Sequence, residues 1–521
     1  MPRPTGDHTF VIDQAPGRVT PRRCGERYTA PFVTPHSLNA PSADRARLVS
    51  LAEHLTAIGF TEDGLRTSGS SPARDPWSFA SGDLAADGSP LSVVTRLFAH
   101  GVAVERPLAE AAFGTLSIAD LEDLGLIARA DHLVRPLRLI RPYQGLFIGS
   151  DLPGSQTEIV LGAVPASETL ARLTIRKPAA RALDLGTGCG LQALLLARHA
   201  SRVTAIDINP HATELASFNA ALNSLANIDV REGSWFGPVD GERFDIIACN
   251  PPYVISPDNQ FTYRDGGLAR DHVSRMVIGE SAGHLAEGGL ATVLCNWIHD
   301  GDWAAAIRPW VEQTGCDALI LHYATVDPVS YATRWNMELR ARDRQAFETT
   351  VQRWVDYFVR ERIEKIAFGG VILRRRDAAS NWVRALHMSQ GPEGSCSDQI
   401  LRLFDAADFL ESPRSRDLFD HAYALVDRHR IDQTLSYTGG QYSVAPAIFR
   451  SVPGGLGLEA TIDARALEVV LECNRNRRLR DLVESTAHDR GVPVSEVTAL
   501  AGDTVRQLVE KGFMVPAVNG N

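Results

Sequence analysis

Long apolar runs are absent from this sequence of 521 residues. No stretch is long and uncharged enough to span a bilayer. The first residues, among them Pro2, Arg3, Pro4 and Asp7, lack the apolar segment of a signal peptide. The sequence therefore predicts a cytoplasmic protein without a membrane segment.

Cysteine is also scarce. The seven cysteines are an odd number without paired spacing, so we expect reduced thiols rather than a disulfide framework. No set of cysteines and histidines has the spacing of a zinc site, so no metal is predicted. Cys189 and Cys249 stand inside the motifs described below, where we expect them to be small packing residues.

An excess of basic residues is absent as well. Lys and Arg total 53 against 63 Asp and Glu, which gives a net charge of −10. Broad nucleic-acid binding depends on basic side chains that neutralise phosphates, so this balance argues mildly against it and leaves only a local basic face open. The chain is too long for one ordinary domain, and its 44% hydrophobic residues support a sizeable core.

A glycine-rich turn follows an apolar strand at residues 182–190 (ALDLGTGCG). Glycines let the backbone turn sharply and approach a ligand closely. The helix expected at residues 191–199 would direct its free N–H groups toward that ligand. Such a turn predicts a nucleotide-type site but does not identify the ligand.

A second strand, at residues 202–207, ends in Asp207. A carboxylate at this place after the glycine turn can accept hydrogen bonds from both hydroxyls of a ribose. The alternative is a helix N-cap ahead of Pro210. The spacing favours the ribose role.

A third strand, at residues 244–249, ends in Asn250, Pro251, Pro252 and Tyr253. A planar amide or aromatic amine is a weak nucleophile, so a site for it must hold both N–H bonds. The Asn250 side-chain oxygen and the Pro251 carbonyl can accept them, with the prolines fixing the backbone. Tyr253 can stack on the flat face of the substrate. The alternative is an ordinary turn after a strand.

Together these motifs resemble class I methyltransferases that use S-adenosylmethionine (SAM). They resemble more narrowly the HemK-type release factor glutamine methyltransferases and the adenine or guanine amino methyltransferases of RNA and DNA. The resemblance covers residues 158–376. It implies an α/β, Rossmann-like, seven-stranded sheet, SAM as cofactor, and catalytic roles for Asn250, Pro251, Pro252 and Tyr253. It implies cofactor contacts from Asp184, Gly186, Thr187, Gly188, Gly190, Asp207, Ile208, Ser234, Trp235 and Asn250.

One position departs from the family pattern. Relatives often have an acid near the adenine where this chain has Ser234, which could accept a hydrogen bond more weakly. Trp235 or Phe236 could flank the adenine or belong to the core.

Four regions are predicted along the chain. They are a flexible arm at residues 1–41, a winged-helix-like domain at 42–157, a catalytic domain at 158–377 with a helical insert at about 331–365, and an α+β domain with a winged-helix-like end at 378–521. A hairpin is expected near residues 441–449. We favour a substrate-shaping or dimerising role for the first winged helix, because its reading helix carries Asp120, Glu122 and Asp123.

The sequence does not identify the substrate. A protein glutamine suits the acidic chain, and a base of RNA or DNA suits the winged-helix-like flanks. A small-molecule methyltransferase and a non-catalytic SAM-binding partner or regulator are the alternatives; the proline corner argues against oxygen as the methyl acceptor.

Overall fold

The computed structural model describes residues 42–69, 87–152, 159–258, 264, 266–388, 391–451 and 455–517. The arm predicted at residues 1–41 lies outside these ranges. Within them, no helix has both the length and the apolar composition needed to cross a membrane.

The N-terminal region is a small helical unit with a three-stranded sheet. Its helices are α1 (Ser42–Ala57), α2 (Glu62–Thr67), α3 (Pro90–Val94, continued by a π-helical turn at Thr95–Ala99), α4 (Arg106–Ala112) and α5 (Ile118–Asp123). Ser117 caps α5: its hydroxyl accepts from the Asp120 N–H at 3.1 Å, and the Asp120 carboxylate accepts from the Ser117 N–H at 3.0 Å. The antiparallel sheet has the order β1 (Val104–Glu105), β3 (Leu133–Pro136), β2 (Ile127–Ala130). The sequence predicts helices at residues 91–98, 107–113 and 117–124 and a hairpin between residues 126–128 and 133–140, and the structure confirms the three helices and the pairing.

A hairpin of β4 (Arg138–Tyr143) and β5 (Leu146–Asp151) leads into the central sheet. That sheet has eight strands, β6 (Ala179–Leu185), β7 (Ala200–Asp207), β8 (Ile228–Glu232), β9 (Phe244–Cys249), β10 (Leu285–His299), β11 (Asp317–Val326), β12 (Lys365–Arg374) and β13 (Val383–His387). Their order is β13-β11-β12-β10-β9-β6-β7-β8. Only β12 runs antiparallel to its neighbours.

The α/β fold is confirmed, but the sheet has one strand more than the seven predicted. β13 lies beyond residue 377 and pairs parallel with β11, from Ala318 opposite Val383 to His322 opposite His387. Without it, β11 would be an edge strand with unpaired backbone groups. The short run Val383–His387 carries two Arg/His side chains among apolar ones, a pattern too brief to identify a strand from sequence alone.

Helices cover both faces of this sheet: α6 (Pro165–Leu173), α7 (Leu191–Leu196), α8 (Pro210–Leu222), α9 (His272–Gly283) and α10 (Trp303–Glu312). The predicted insert between β11 and β12 is helical, as expected, and consists of α11 (Pro328–Trp335), α12 (Met337–Arg342) and α13 (Arg344–Arg360). Of these helices, α6, α7 and α8 contribute residues to the cavity of the site described below.

The C-terminal region contains α14 (Ser397–Glu411), two 3₁₀ turns (Pro413–Arg416 and Leu418–Asp420), β14 (Ala422–Leu425), β15 (His429–Asp432), β16 (Leu435–Thr438), β17 (Gln441–Val444), β18 (Ala447–Ser451), β19 (Glu459–Ile462), α15 (Leu467–Leu471), β20 (Asn474–Arg478), α16 (Leu479–Arg490), α17 (Val494–Glu510) and β21 (Met514–Pro516). The sequence predicts helices at residues 467–472, 479–487 and 493–511, and all three are confirmed. The hairpin expected near 441–449 is wrong: β17 pairs with β16 across Gly439 and Gly440, whereas β18 pairs with β15 and β19. Both turn glycines have positive φ, 61° and 83°, as a two-residue hairpin turn requires.

Candidate cofactor and acceptor site

The glycine turn leads from β6 into α7, and hydrogen bonds to Asp184 stabilise it. Gly186 and Gly188 have φ values of 72° and 53°, which favour glycine. One carboxylate oxygen of Asp184 accepts from the Thr187 hydroxyl at 2.6 Å and from the Ala193 N–H at 2.9 Å. Asp184 therefore ties the start of the turn to the first helical residues after it.

This carboxyl group is fully buried, and its pKa is raised to about 7. Burial raises this pKa most, the two hydrogen bonds from Thr187 and Ala193 lower it, and the nearby Asp207 raises it. The buried carboxylate has no cation of the protein among its described hydrogen-bond partners. A positively charged ligand in the adjoining cavity would supply the missing compensation.

Asp207 lies at the end of β7 and faces the same turn. One carboxylate oxygen accepts from the Gly188 N–H at 2.8 Å, and the other accepts from the Asn209 N–H at 3.0 Å. Burial raises the pKa of Asp207. The N-cap of α8 is Asn209, whose side chain accepts from the His211 N–H at 2.9 Å, so Asp207 is not that cap.

The proline corner follows β9 beside the glycine turn. A Cβ on Gly186 would lie 3.9 Å from the Asn250 carbonyl oxygen, so the two motifs are immediate neighbours. The side-chain oxygen of Asn250 is buried and has no hydrogen-bond partner among the described residues. The Pro251 carbonyl accepts one hydrogen bond, from the Tyr253 N–H at 2.8 Å, and keeps a second lone pair. A buried acceptor without a donor is costly unless a ligand supplies one.

One cavity of about 380 Å³ joins these elements. Its walls include most of the predicted site residues, namely Asp184, Gly186, Thr187, Gly188, Asp207, Ile208, Ser234, Trp235, Asn250, Pro251 and Pro252. Among the described residues that line it, two are acids and none is Lys, Arg or His. The cavity therefore suits a neutral or positively charged ligand that carries hydrogen-bond donors.

Two predicted site residues do not line this cavity. Gly190 is the N-cap of α7, with φ 86°, and a Cβ there would lie 3.2 Å from Ala216 of α8. Tyr253 is half-buried and packs against interior clusters, and burial raises its pKa to about 12. Its stacking on a substrate stays a prediction.

The two aromatic residues of the segment after β8 lie in different surroundings. Trp235 lines the cavity, whereas Phe236 is buried and stacks on His284 with ring centroids 4.6 Å apart. Phe236 therefore belongs to the core. The role of Ser234, an exposed residue of the cavity wall, stays a prediction.

The insert reaches the chain that follows the corner. The Tyr331 hydroxyl of α11 accepts from the Ile255 N–H at 3.0 Å and from the Asn296 side-chain amide at 2.8 Å. The Asp258 carboxylate accepts from the Trp354 indole at 2.8 Å and from Arg353 at 2.7 Å. The insert therefore holds the backbone that follows Tyr253.

Several residues of the site carry no signal in the sequence. Gln192 lines the cavity from α7, and residues 159–162 form a wall ahead of α6. Asn219 of α8 donates to the carbonyls of Gly149 and Cys189 at 2.9 and 2.8 Å, which ties β5 to the glycine turn. A polar residue inside an apolar helical run is the one hint that sequence reading offers for Gln192 and Asn219.

The six cysteines in the described ranges are unpaired and buried. Burial raises the pKa of the Cys189 thiol to about 12 and that of Cys249 well above its usual value. Neither is a nucleophile at neutral pH, and both pack in the core as predicted.

Two stretches of this chain match known protein families. Residues 164–299 match the family described as methyltransferase small domain, and residues 72–137 match a domain of unknown function, DUF7059. The first match contains both the glycine turn and the proline corner and ends before the insert.

Three curated relatives are release factor glutamine methyltransferases. The protein of Xylella fastidiosa (strain Temecula1) is 34% identical over 152 residues, which cover 27% of this chain and 54% of the relative. That of Vibrio cholerae is 36% identical over 146 residues, covering 27% and 50%. That of Yersinia pestis is 34% identical over 174 residues, covering 32% and 62%. The chain spans about half of the first two relatives.

Proposed function

We propose that this chain, whose residues 164–299 form a HemK-type class I methyltransferase small domain, methylates the nitrogen of a planar amide or amine with SAM as the donor. The unpartnered side-chain oxygen of Asn250 beside the cavity is the observation that carries the proposal. This oxygen can accept a hydrogen bond from an N–H group, and a planar amino substrate presents such a group.

The cavity fits SAM by its volume and its chemistry. A volume of about 380 Å³ lies within the range of small-molecule sites. Asp207 offers a carboxylate to ribose hydroxyls, and Trp235 and Ile208 offer apolar surface to an adenine. Asp184 and Asp207, without a basic lining residue, favour a ligand with net positive charge. When bound, SAM supplies an electrophilic methyl group.

The protein's own contribution is positioning. Asn250 accepts one N–H of the substrate, and the free lone pair of the Pro251 carbonyl accepts the other. The nitrogen then faces the cavity with its lone pair forward. Holding reactants in this way contributes up to about 7–11 kcal/mol in favourable cases. The proton leaves after transfer, when the nitrogen has become acidic, so water suffices to take it.

We favour the glutamine side chain of a protein as substrate. The three relatives are named for methylation of a release factor glutamine, and an amide matches the two acceptors of the corner. A net charge of −10 weakens the case for a nucleic-acid substrate, because binding to phosphates depends on an excess of Lys and Arg.

The test is transfer of labelled methyl from SAM into a lysate of a strain that lacks the protein. Label removed by protease supports the proposal, and acid hydrolysis that releases methylamine would place it on an amide nitrogen. Label removed by nuclease identifies a nucleobase, and label in small molecules identifies a metabolite; either result overturns the glutamine assignment. SAM binding without any transfer overturns catalysis and leaves a SAM-binding regulator.

A further inference from the structure

Gln192, the second residue of α7, has a side-chain amide whose orientation is fixed. The side chain is buried, with 5% of its surface exposed. Its nitrogen donates to the Ser167 carbonyl of α6 at 2.8 Å. Its oxygen is buried and has no hydrogen-bond partner among the described residues. The residue lines the cavity, so this oxygen is a second acceptor without a donor at the same site.

Gln192 belongs to a different wall from the residues that face ribose and adenine. Its bond to Ser167 attaches it to α6, and the Ser167 hydroxyl in turn donates to the Gly162 carbonyl at 3.5 Å, in the wall of residues 159–162. Asp207 belongs to the wall that continues to Ser234 and Trp235, because the Gly233 N–H donates to the Asp207 carbonyl at 2.9 Å. The two walls meet at the glycine turn. Gln192 therefore faces the part of a bound nucleoside that Asp207 does not.

The donors of SAM are few: the adenine amino group, the two ribose hydroxyls and the α-ammonium of its methionine part. With ribose at Asp207 and adenine at Trp235, the α-ammonium remains for the wall of Gln192. The charge agrees, because the Asp184 carboxylate accepts from the N–H of Ala193, the next residue after Gln192. An ammonium there would meet an amide oxygen and lie near a buried carboxylate.

We propose that Gln192 is a specificity residue of the cofactor site, which accepts a hydrogen bond from the α-ammonium of SAM. This inference rests on the proposed use of SAM. It predicts that Gln192 distinguishes nucleosides with the amino-acid part from nucleosides without it.

The experiment is calorimetric titration of the full-length chain with S-adenosylhomocysteine and with 5′-methylthioadenosine, which lacks the amino-acid part. In Gln192→Met, affinity for S-adenosylhomocysteine should fall about 10–100-fold, the loss typical of a hydrogen bond to a charged group. Affinity for 5′-methylthioadenosine should stay unchanged. Gln399→Met is the matched control, because Gln399 is a buried glutamine of α14 whose amide bonds only to Ser451 and Leu456 in the described chain. It should change neither affinity.

A deamino analogue of S-adenosylhomocysteine tests the same contact without mutation. The wild-type chain should bind it about 10-fold or more weakly than the parent compound, and Gln192→Met should lose most of that difference. Equal loss for both nucleosides in Gln192→Met would make Gln192 a structural residue and overturn the inference. So would equal binding of the parent and deamino compounds by the wild type. Failure of the wild type to bind any of these nucleosides would instead overturn the proposed function.

Discussion

Substitution of Asn250 gives the most direct test of the proposed chemistry. Asn250→Ala removes the unpartnered acceptor and leaves the glycine turn and Asp207 in place. We expect methyl transfer to fall by about 10²–10³-fold or more, the loss seen when one preorganised hydrogen-bonding group is removed from an active site. SAM affinity should change little.

Labelled-methyl transfer and calorimetry on the same samples measure the two effects. Asn476→Ala, on the exposed strand β20, is the control and should leave both unchanged. Persistent transfer by Asn250→Ala would contradict the account of the proline corner.

Asp207 is the corresponding residue on the cofactor side. Asp207→Ala removes a carboxylate offered to ribose and also the acceptor of the Gly188 N–H. SAM affinity should fall about 10–100-fold, because charge-assisted hydrogen bonds contribute roughly 1.5–3 kcal/mol each. Calorimetry at constant pH measures it. Asp207→Asn, which keeps one acceptor oxygen, should lose less, and equal affinity of all three proteins would exclude the ribose role.

Asp184 makes a pH prediction. Its pKa rises from the usual 3.8 to about 7 because burial disfavours the charged form. The fold therefore favours the protonated carboxyl, whose contribution to stability is complete below about pH 4 and is lost as the pH rises through about 7. Asp184→Asn can still accept from Thr187 and Ala193 but cannot ionise.

Urea unfolding of the ligand-free chain between about pH 4.5 and 8 measures this effect. The wild-type free energy of unfolding should fall relative to that of Asp184→Asn as the pH rises. Parallel pH profiles for the two proteins would contradict the assignment.

At the scale of secondary-structure elements, we predict that the insert helices stabilise the chain that follows the proline corner. The Tyr331 hydroxyl satisfies two buried donors, the Ile255 N–H and the Asn296 amide. Tyr331→Phe leaves both unpaired, and each unsatisfied buried group costs about 1–3 kcal/mol. The free energy of unfolding should fall accordingly. Methyl transfer should fall as well, because Ile255 lies two residues beyond Tyr253, whereas SAM affinity should hold.

Denaturant unfolding, transfer and calorimetry report the three quantities. Tyr437→Phe, on the exposed hairpin of β16 and β17, is the matched control because Tyr437 is 64% exposed. A Tyr331→Phe protein of wild-type stability and activity would show that the insert does not support the corner.

Sequence patterns predict some of the helices and strands correctly and others not. The helices of the insert and the Ser117 cap follow from periodicity and capping residues. The hairpin of β16 and β17 was misplaced because three short strands follow one another, and pairing between them depends on contacts that no single strand encodes. β13 was missed because five residues are too few for a period.

At the scale of the whole molecule, hydrophobic clusters cross the predicted domain boundaries at residues 157 and 377. One cluster joins Leu97 and Phe113 of the N-terminal region to Leu194 and Phe218 of the central domain. Another joins Leu170 and Leu290 to residues of the C-terminal region, including Phe404, Tyr423, Leu482 and Val509. The flanking regions therefore complete the packing of the helices that cover the sheet.

A truncation tests this packing. A chain that ends at residue 388 keeps all eight strands of the central sheet but loses α14, α16 and α17, which supply many apolar side chains to the shared cluster. We expect this fragment to be insoluble or to bind ANS. The apolar surface that α14, α16 and α17 cover would be exposed to water, which costs roughly 25 cal/mol per Å². Expression, ANS fluorescence and limited proteolysis measure the outcome, with the full chain as control. A soluble, protease-resistant fragment would show that the C-terminal region is independent.

The sequence by itself determined the chemistry that stays local to a strand end. The glycine turn, Asp207 and the Asn250 corner are each adjacent in sequence to the strand that positions them, and parallel strands bring their carboxyl ends to one edge. Only the tertiary structure decided which residues from distant segments close the cavity: Gln192 through its bond to Ser167, residues 159–162 as a wall, and Tyr331 against Ile255. Such contacts depend on how helices pack across the sheet, and packing is set by the summed shape of many side chains rather than by any short pattern.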